Sequence, residues 1–303
     1  MRKLLPVVAL AAIVTIWIAE AQQPPARPPA AQPAAQPPTP GAGRGGRGGG
    51  QANAKKRVLV FGMTKGFHHD SVSNAMASIW KLGKDSGVWD TEISTDPDIL
   101  RKGKAPGSGF VPLNLLNFDA VVFASTTGEI PMDDQQKKDF MEFIRDDGKG
   151  FVGIHAALDT NYKWPEYGEM LGGWFDGHPW NVVDAPTILE DPSFPAVRHF
   201  SKNFQIRDEM YMAKSWSRDK VNVLLRMDDT KLDYTGKNNI RPDHDFALAW
   251  SKMHGKGRVF YSTLGHTNES WDDPDVQKMY LEAIKWVLRR TEGSTAPHPR
   301  PVN

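Results

Sequence analysis

Three histidines stand where apolar runs end: His69, His155 and His266. The most informative setting is Gly150-Phe151-Val152-Gly153-Ile154-His155-Ala156-Ala157. The run 151–154 reads as a buried strand. The spacing Gly153-x-His155-x-Ala157 puts an imidazole where a nucleophile elbow keeps serine or cysteine, its small neighbours allowing a sharp strand-to-helix turn. Imidazole titrates near neutrality, so it can act as acid, base or metal ligand. Ligands of open α/β sheets bind outside the carboxyl ends of the strands, so the three histidines are expected at one crevice. His178 and His244 lie in loops that can reach it. Glu209 and Asp159 can pair with an imidazole, fixing its tautomer and raising its basicity. No pair has a diagnostic spacing such as H-E-x-x-H. Clustered neutral imidazoles with a carboxylate suit zinc or a related divalent ion that keeps a position open for water. For each histidine taken singly, the alternative is a core or loop imidazole bonded to backbone.

The elements that must position these residues follow from the apolar runs. A buried strand at 57–61 leads into the loop Gly66-Phe67-His68-His69-Asp70-Ser71, and Val72, Ala75, Met76, Ile79 and Trp80 then recur at helical spacing, with Asp70 or Ser71 as cap. Further strands are expected at 89–95 and 118–124. Asp133 should cap a helix carrying Phe140, Phe143 and Ile144 that stops at Gly148. Alternation at this pitch argues an α/β fold with a parallel, doubly wound sheet. Residues 164–171 read as a short helix and 174–180 as an aromatic, glycine-rich loop. Short antiparallel strands at 187–190, 204–212 and 221–227, separated by Pro186, Pro192 and Pro195, should extend the sheet without forming a second domain. A strand at 246–250, a hairpin turn at 254–257 and a strand at 258–263 follow. Pro274 opens a last helix with Val276, Met279, Tyr280, Ala283, Ile284, Val287 and Leu288 on one face. The folded domain is read as 55–292, with a loose tail at 293–303.

Composition narrows the function classes. The formal net charge of +1 over 303 residues gives no electrostatic footprint for nucleic acid. The chain has no cysteine, which excludes disulfides, thiolate metal sites and a cysteine nucleophile. Arg2 and Lys3 precede an apolar run to Ala19, and Ala19-Glu20-Ala21 has the form of a cleavage site. This is the pattern of a signal peptide cut after Ala21, which leaves no stable membrane span and implies an exported, periplasmic or extracellular protein; the alternative is an uncleaved anchor. Residues 22–54 are rich in Pro, Ala, Gln and Gly and read as a disordered linker.

The motifs resemble the ThuA-like (trehalose utilisation) family. They occur in order over roughly residues 56–290: the 66–71 loop, Gly153-Ile154-His155-Ala156-Ala157, Gly177-His178-Pro179, Asp208-Glu209-Met210-Tyr211, the stretch from His244 to Trp250, Gly257-Arg258-Val259-Phe260-Tyr261, Leu264-Gly265-His266 and Glu269-Ser270-Trp271. The chain departs from the family where arginine often precedes the first-motif histidine; here His68 stands there, so the family role is carried to His69. The resemblance implies a flavodoxin-like, class I glutamine amidotransferase-like three-layer sandwich with a mostly parallel central sheet and added antiparallel strands. In it His155 occupies the elbow where those enzymes keep cysteine.

The resemblance also implies carbohydrate catabolism, with a trehalose-type disaccharide or its 3-keto form as small-molecule substrate. On that basis His155, Glu209 and His178 are the expected catalytic groups. His69, Asp159, His244, His266 and Trp271 are the expected substrate contacts, and Trp164, Trp174 and Trp180 are further stacking faces. The rival readings are a metal-dependent hydrolase, for which convergence of three of the histidines is the discriminating observation, and a non-catalytic sugar-binding module.

Overall fold

Strands and helices alternate through the first half of the domain as the apolar runs predict. The computed structural model describes residues 55–301; the expected leader (1–21) and linker (22–54) lie outside the described residues. The order is β1 (Lys56–Phe61), α1 (Val72–Ser86), β2 (Trp89–Ser94), β3 (Ala120–Ala124), α2 (Asp134–Arg145), β4 (Gly150–Ile154), α3 (Pro165–Leu171), β5 (Trp174–Gly177), β6 (Val182–Leu189), β7 (Asn203–Glu209), β8 (Met212–Lys214), β9 (Asn222–Met227), β10 (Ala247–His254), β11 (Gly257–Ser262), α4 (Asn268–Asp272) and α5 (Pro274–Val287).

Nine strands form one mixed sheet in the order β2-β1-β3-β4-β11-β10-β9-β6-β7. The first five are parallel neighbours, the strand order of a flavodoxin-like sheet. The last four join them antiparallel. Apart from the edge strand β2, which is largely exposed, the parallel strands are buried on both faces, as their apolar runs require. Val58, Val60, Val122, Val152 and Ile154 share one core with α1 and α5. Leu59, Phe61, Val121, Phe123 and Phe151 turn the other way into a second core with α2 and α3. Period-2 alternation thus divides each strand between two helical layers. Among the described residues no helix is long and apolar enough to cross a membrane.

The structure departs from the sequence expectation in five places. Residues 174–177, expected as loop, form a strand that pairs antiparallel with β8 in a small second sheet. The single strand expected over 204–212 breaks after Glu209, because the Tyr211 amide donates to Thr263 Oγ1 (3.0 Å) and draws the chain out of the main sheet. Pro186 lies inside β6 instead of ending it; its carbonyl accepts from the Asp228 amide, so the missing N–H faces the end of the β6–β9 ladder. Ser71 sits at the N-cap of α1, but its side chain makes no capping bond. Its Oγ donates to the Gly265 carbonyl (2.8 Å) and ties the start of that helix to the loop after β11. The expected loose tail from Gly293 has no regular structure, yet the Ser294 carbonyl accepts from Asn222 and Ser251, and His298 Nε2 donates to the Val223 carbonyl.

Phe123 is fully buried, its ring 5.2–6.0 Å from those of Phe61, Phe140, Phe151 and Tyr167. Phe123→Ala should lower the unfolding free energy by about 3–5 kcal/mol, read as a shift in the urea midpoint at unchanged slope.

Candidate metal centre

His155 directly follows β4 and opens a 3-10 turn, His155–Leu158. Its φ is +45°, the left-handed region that a residue with a Cβ rarely enters. The sharp turn aims the ring out of the strand end. A side chain at Gly153 would not fit beneath it, since a Cβ there would sit 2.9 Å from Leu171 Cδ1 and 3.2 Å from Tyr261 Cδ2. The loop after β1 delivers His69, and the loop after β11 delivers His266. Glu209 ends β7, the far edge of the sheet.

These four side chains converge. His155 Nε2 lies 3.2 Å from His69 Nε2 and 3.1 Å from His266 Nδ1. Glu209 Oε2 lies 3.0 Å from His266 Nδ1 and 3.6 Å from His155 Nε2. One donor atom from each residue lies within 4.8 Å of all the others. A tetrahedral ion with metal–nitrogen distances of about 2.0–2.1 Å has donor–donor edges of about 3.3 Å; four of the six donor pairs lie near that length, and no pair exceeds 4.8 Å. His155 Nδ1 donates to the Thr263 carbonyl (2.6 Å). That bond fixes the tautomer and leaves Nε2 as a lone pair facing the other donors. With two nitrogens at nearly equal distance from this lone pair, internal hydrogen bonding satisfies the group less well than a shared cation.

The family comparison agrees with the motifs. A family model described as trehalose utilisation, ThuA, matches residues 57–287. The chain belongs to the ThuA family. It superposes on a ThuA-like protein from Bacteroides uniformis with a TM-score of 0.63 at 21% identity, covering 80% of this chain and 95% of that one. A ThuA-like protein from Parabacteroides merdae matches with a TM-score of 0.60 at 17% identity, covering 82% and 94%. At these identities the likeness shows the α/β fold. No curated protein matches significantly.

Burial and charge set the protonation of the ThuA-family cluster. Burial pushes the His69 imidazole down from 6.5 to about 4, with the neighbouring His266 adding to the effect and Glu209 opposing it. Burial, then His69 and His266, hold His155 well below the usual histidine value. For His266 burial works against protonation, but the hydrogen bond and charge of Glu209 outweigh it and raise the value.

The other expected contacts divide. His178 Nδ1 is 3.3 Å from Glu209 Oε1 and its side chain is 41% exposed, so it borders the cluster from the solvent side. Asp159 accepts from the Tyr162 hydroxyl (2.6 Å). Burial raises its carboxyl, with that hydrogen bond opposing. His244 is not brought to the cluster: at φ +49° its ring stacks on Tyr234 and Phe246. Trp271 offers no sugar face, being fully buried against Tyr280 with its indole N–H on the Gly265 carbonyl. Trp164 and Trp180 are buried as well. His68 is exposed and bonded to Thr64 Oγ1.

Sequence reasoning missed Asp208 and Tyr211. Buried Asp208 accepts from the amides of Gly265 (2.6 Å), His266 (3.2 Å) and Glu209 (2.9 Å) and from Ser270 Oγ (2.7 Å), so it sets the backbone beneath two cluster residues. Gly265 takes φ +123° in that loop. The Tyr211 hydroxyl is 3.4 Å from His69 Nε2, and its ring lies 4.1 Å from that of His155. The available signal was adjacency, since both residues sit in the motif with Glu209.

Two predictions follow from this geometry. Asp208→Asn puts an amide N–H against backbone donors; it should cost about 1–3 kcal/mol of stability and lower divalent-cation affinity about 10- to 100-fold, measured by denaturation and titration calorimetry. In metal-free protein the cluster's contribution to stability should peak near pH 6.5. Below it, the unfolded chain binds protons that folded His69 and His155 refuse, so stability falls as pH drops from 6.5 toward about 4. Above it, the stability linked to the raised His266 is lost as pH rises through its folded value. Urea midpoints between pH 4 and 8 test this, and His69→Gln should flatten the acid limb.

Proposed function

We propose that this ThuA-family protein is an exported enzyme of carbohydrate catabolism that processes a trehalose-type or 3-keto glycoside with the aid of a divalent cation. The observation that carries the reading is the convergence of His69, His155, His266 and Glu209 within ligand distance of one another. Export rests on the leader pattern at residues 1–21. A bound cation held by three of these four donors, or expanding to a fifth ligand, would have a position for a carbonyl or hydroxyl oxygen of the sugar and would act on it as a Lewis acid.

The chain's own residues supply the remaining chemistry. His155 is fully buried with both ring nitrogens engaged, so it serves better as a donor than as the mobile base the sequence suggests. His178 is exposed and rests on Glu209, which suits it to move a proton. In a 3-keto glycoside the C2–H is acidified by the adjacent ketone. Removal of that proton by His178 leaves an electron pair that forms the C1–C2 double bond as the C1–O bond breaks. The departing sugar oxygen keeps the bonding pair and is protonated from solvent or from the imidazolium. Glu209 Oε1, 3.3 Å from Nδ1, holds the imidazole ring in place.

The purified chain should convert 3-ketotrehalose but not trehalose when followed by NMR, with turnover dependent on added zinc and abolished by a chelator. His178→Ala should reduce kcat about 10²–10⁴-fold at saturating zinc, with zinc still bound at the wild-type stoichiometry. Turnover unaffected by the chelator removes the cation from the reading. Line broadening of both sugars without product assigns the crevice to binding alone.

A further inference from the structure

Of the expected tryptophan faces Trp164, Trp180 and Trp271 are buried and Trp174 is half-buried, yet an exposed aromatic ring does stand at the mouth of the cluster. Phe67 is 66% exposed. Its ring meets that of His69 edge-on, with centroids 4.8 Å apart. A single exposed hydrophobe is ordinary on a protein surface; what distinguishes Phe67 is how it is held and what lies beside it. The Gly66 amide donates to Thr127 Oγ1 (3.1 Å), and that hydroxyl donates to the Phe67 carbonyl (2.8 Å). The Lys65 amide donates to the Thr127 carbonyl (2.8 Å). The loop is therefore fixed to the exit of β3, and the ring is presented on rigid backbone.

Beside it is a cavity of about 360 Å³ walled by Phe67, His69 and Asp70 on one side and by His266, Asn268 and Glu269 on the other. Two of the four cluster residues, His69 and His266, form part of its wall. The volume sits at the small end of ligand pockets, about 300–1,000 Å³, which suits one or two sugar rings. The Asp70 and Glu269 carboxylates have no hydrogen-bond or ion-pair partner among the described residues, and both are exposed, so they stand as free acceptors. A pyranose has an apolar C–H face and a rim of hydroxyl donors. An aromatic ring faced by carboxylates and an amide is the complement of that shape.

We propose that this cavity is a glycosyl-binding subsite in which Phe67 is the stacking platform and Asp70, Asn268 and Glu269 hold the sugar hydroxyls, seating one ring of the substrate against His69 and His266. The proposal rests on the carbohydrate reading above. Phe67 sets affinity and orientation and takes no part in bond making.

The test compares the intact chain with Phe67→Ala, Phe67→Trp and Glu269→Gln, titrating trehalose and 3-ketotrehalose by calorimetry and, separately, zinc alone. Wild type should bind at least one of these sugars. Phe67→Ala should weaken that binding about tenfold, the scale of one aromatic contact, Phe67→Trp should restore it, and Glu269→Gln should weaken it severalfold. Zinc affinity should stay within threefold in all three variants, which separates loss of the platform from damage to the cluster. Sugar binding by wild type that is unchanged in Phe67→Ala overturns the subsite while leaving the carbohydrate reading intact. Failure of Phe67→Trp to restore binding also overturns the platform. If the folded, zinc-binding wild type binds neither sugar, the carbohydrate reading fails and the subsite fails with it.

Discussion

The crevice depends on keeping one nitrogen, Nε2 of the fully buried His155, free of a proton. Three imidazoles and one carboxylate packed this closely cannot all adopt their solution charge states. Two cations side by side are excluded by repulsion, and burial penalises even one. The Thr263 carbonyl resolves the first choice by taking the Nδ1 proton of His155. Glu209 resolves the second by favouring charge on His266, the most exposed of the three rings. The Tyr261 hydroxyl donates to the His155 carbonyl (2.9 Å) and stabilises the left-handed turn that aims the ring.

Around that nitrogen the protein has two layers of support. The antiparallel extension exists, from the site's viewpoint, to bring Glu209 and Asp208 back to the ends of the parallel strands. Asp208 is the hub of this return, because four donors from the Glu209 amide, the 265–266 loop and Ser270 meet on one buried carboxylate. Burial pushes its carboxyl upward even so, so its charge is sustained by those hydrogen bonds. Such a group is held firmly only while all its partners are present.

The parallel half of the sheet was legible from residue type alone. Runs such as 58–61 and 151–154 carry no polar side chain because both faces are covered, and a histidine beyond the end of such a run is delivered to the crevice. Legibility falls where position depends on a single long-range bond. Nothing in the spacing shows that the Tyr211 amide will leave β7 for Thr263, which is why one expected strand became two. His244 and Trp271 were misplaced for related reasons. A loop histidine can turn either way, and a left-handed residue turned this one onto Tyr234. Trp271 sits among polar residues in the sequence, but the single helical turn of α4 rotates it inward onto Tyr280. Asp208 lacked any sign of its role because its partners are mostly backbone amides, which every residue carries.

The bond from Ser71 to the Gly265 carbonyl joins residues far apart in the chain, and the cluster spans nearly the same interval, from His69 to His266. Neither can exist until the last β-strand has docked beside β4. The N-terminal βα units can gain order from local contacts, but the donor set belongs to the final, topologically distant closure, the kind of pairing that slows folding. Until that closure the imidazoles lie on separate segments and the four-donor set does not exist. A cation, if the site takes one, would find its full donor set only on completion of the fold, and its presence at that moment would stabilise the closed state by mass action.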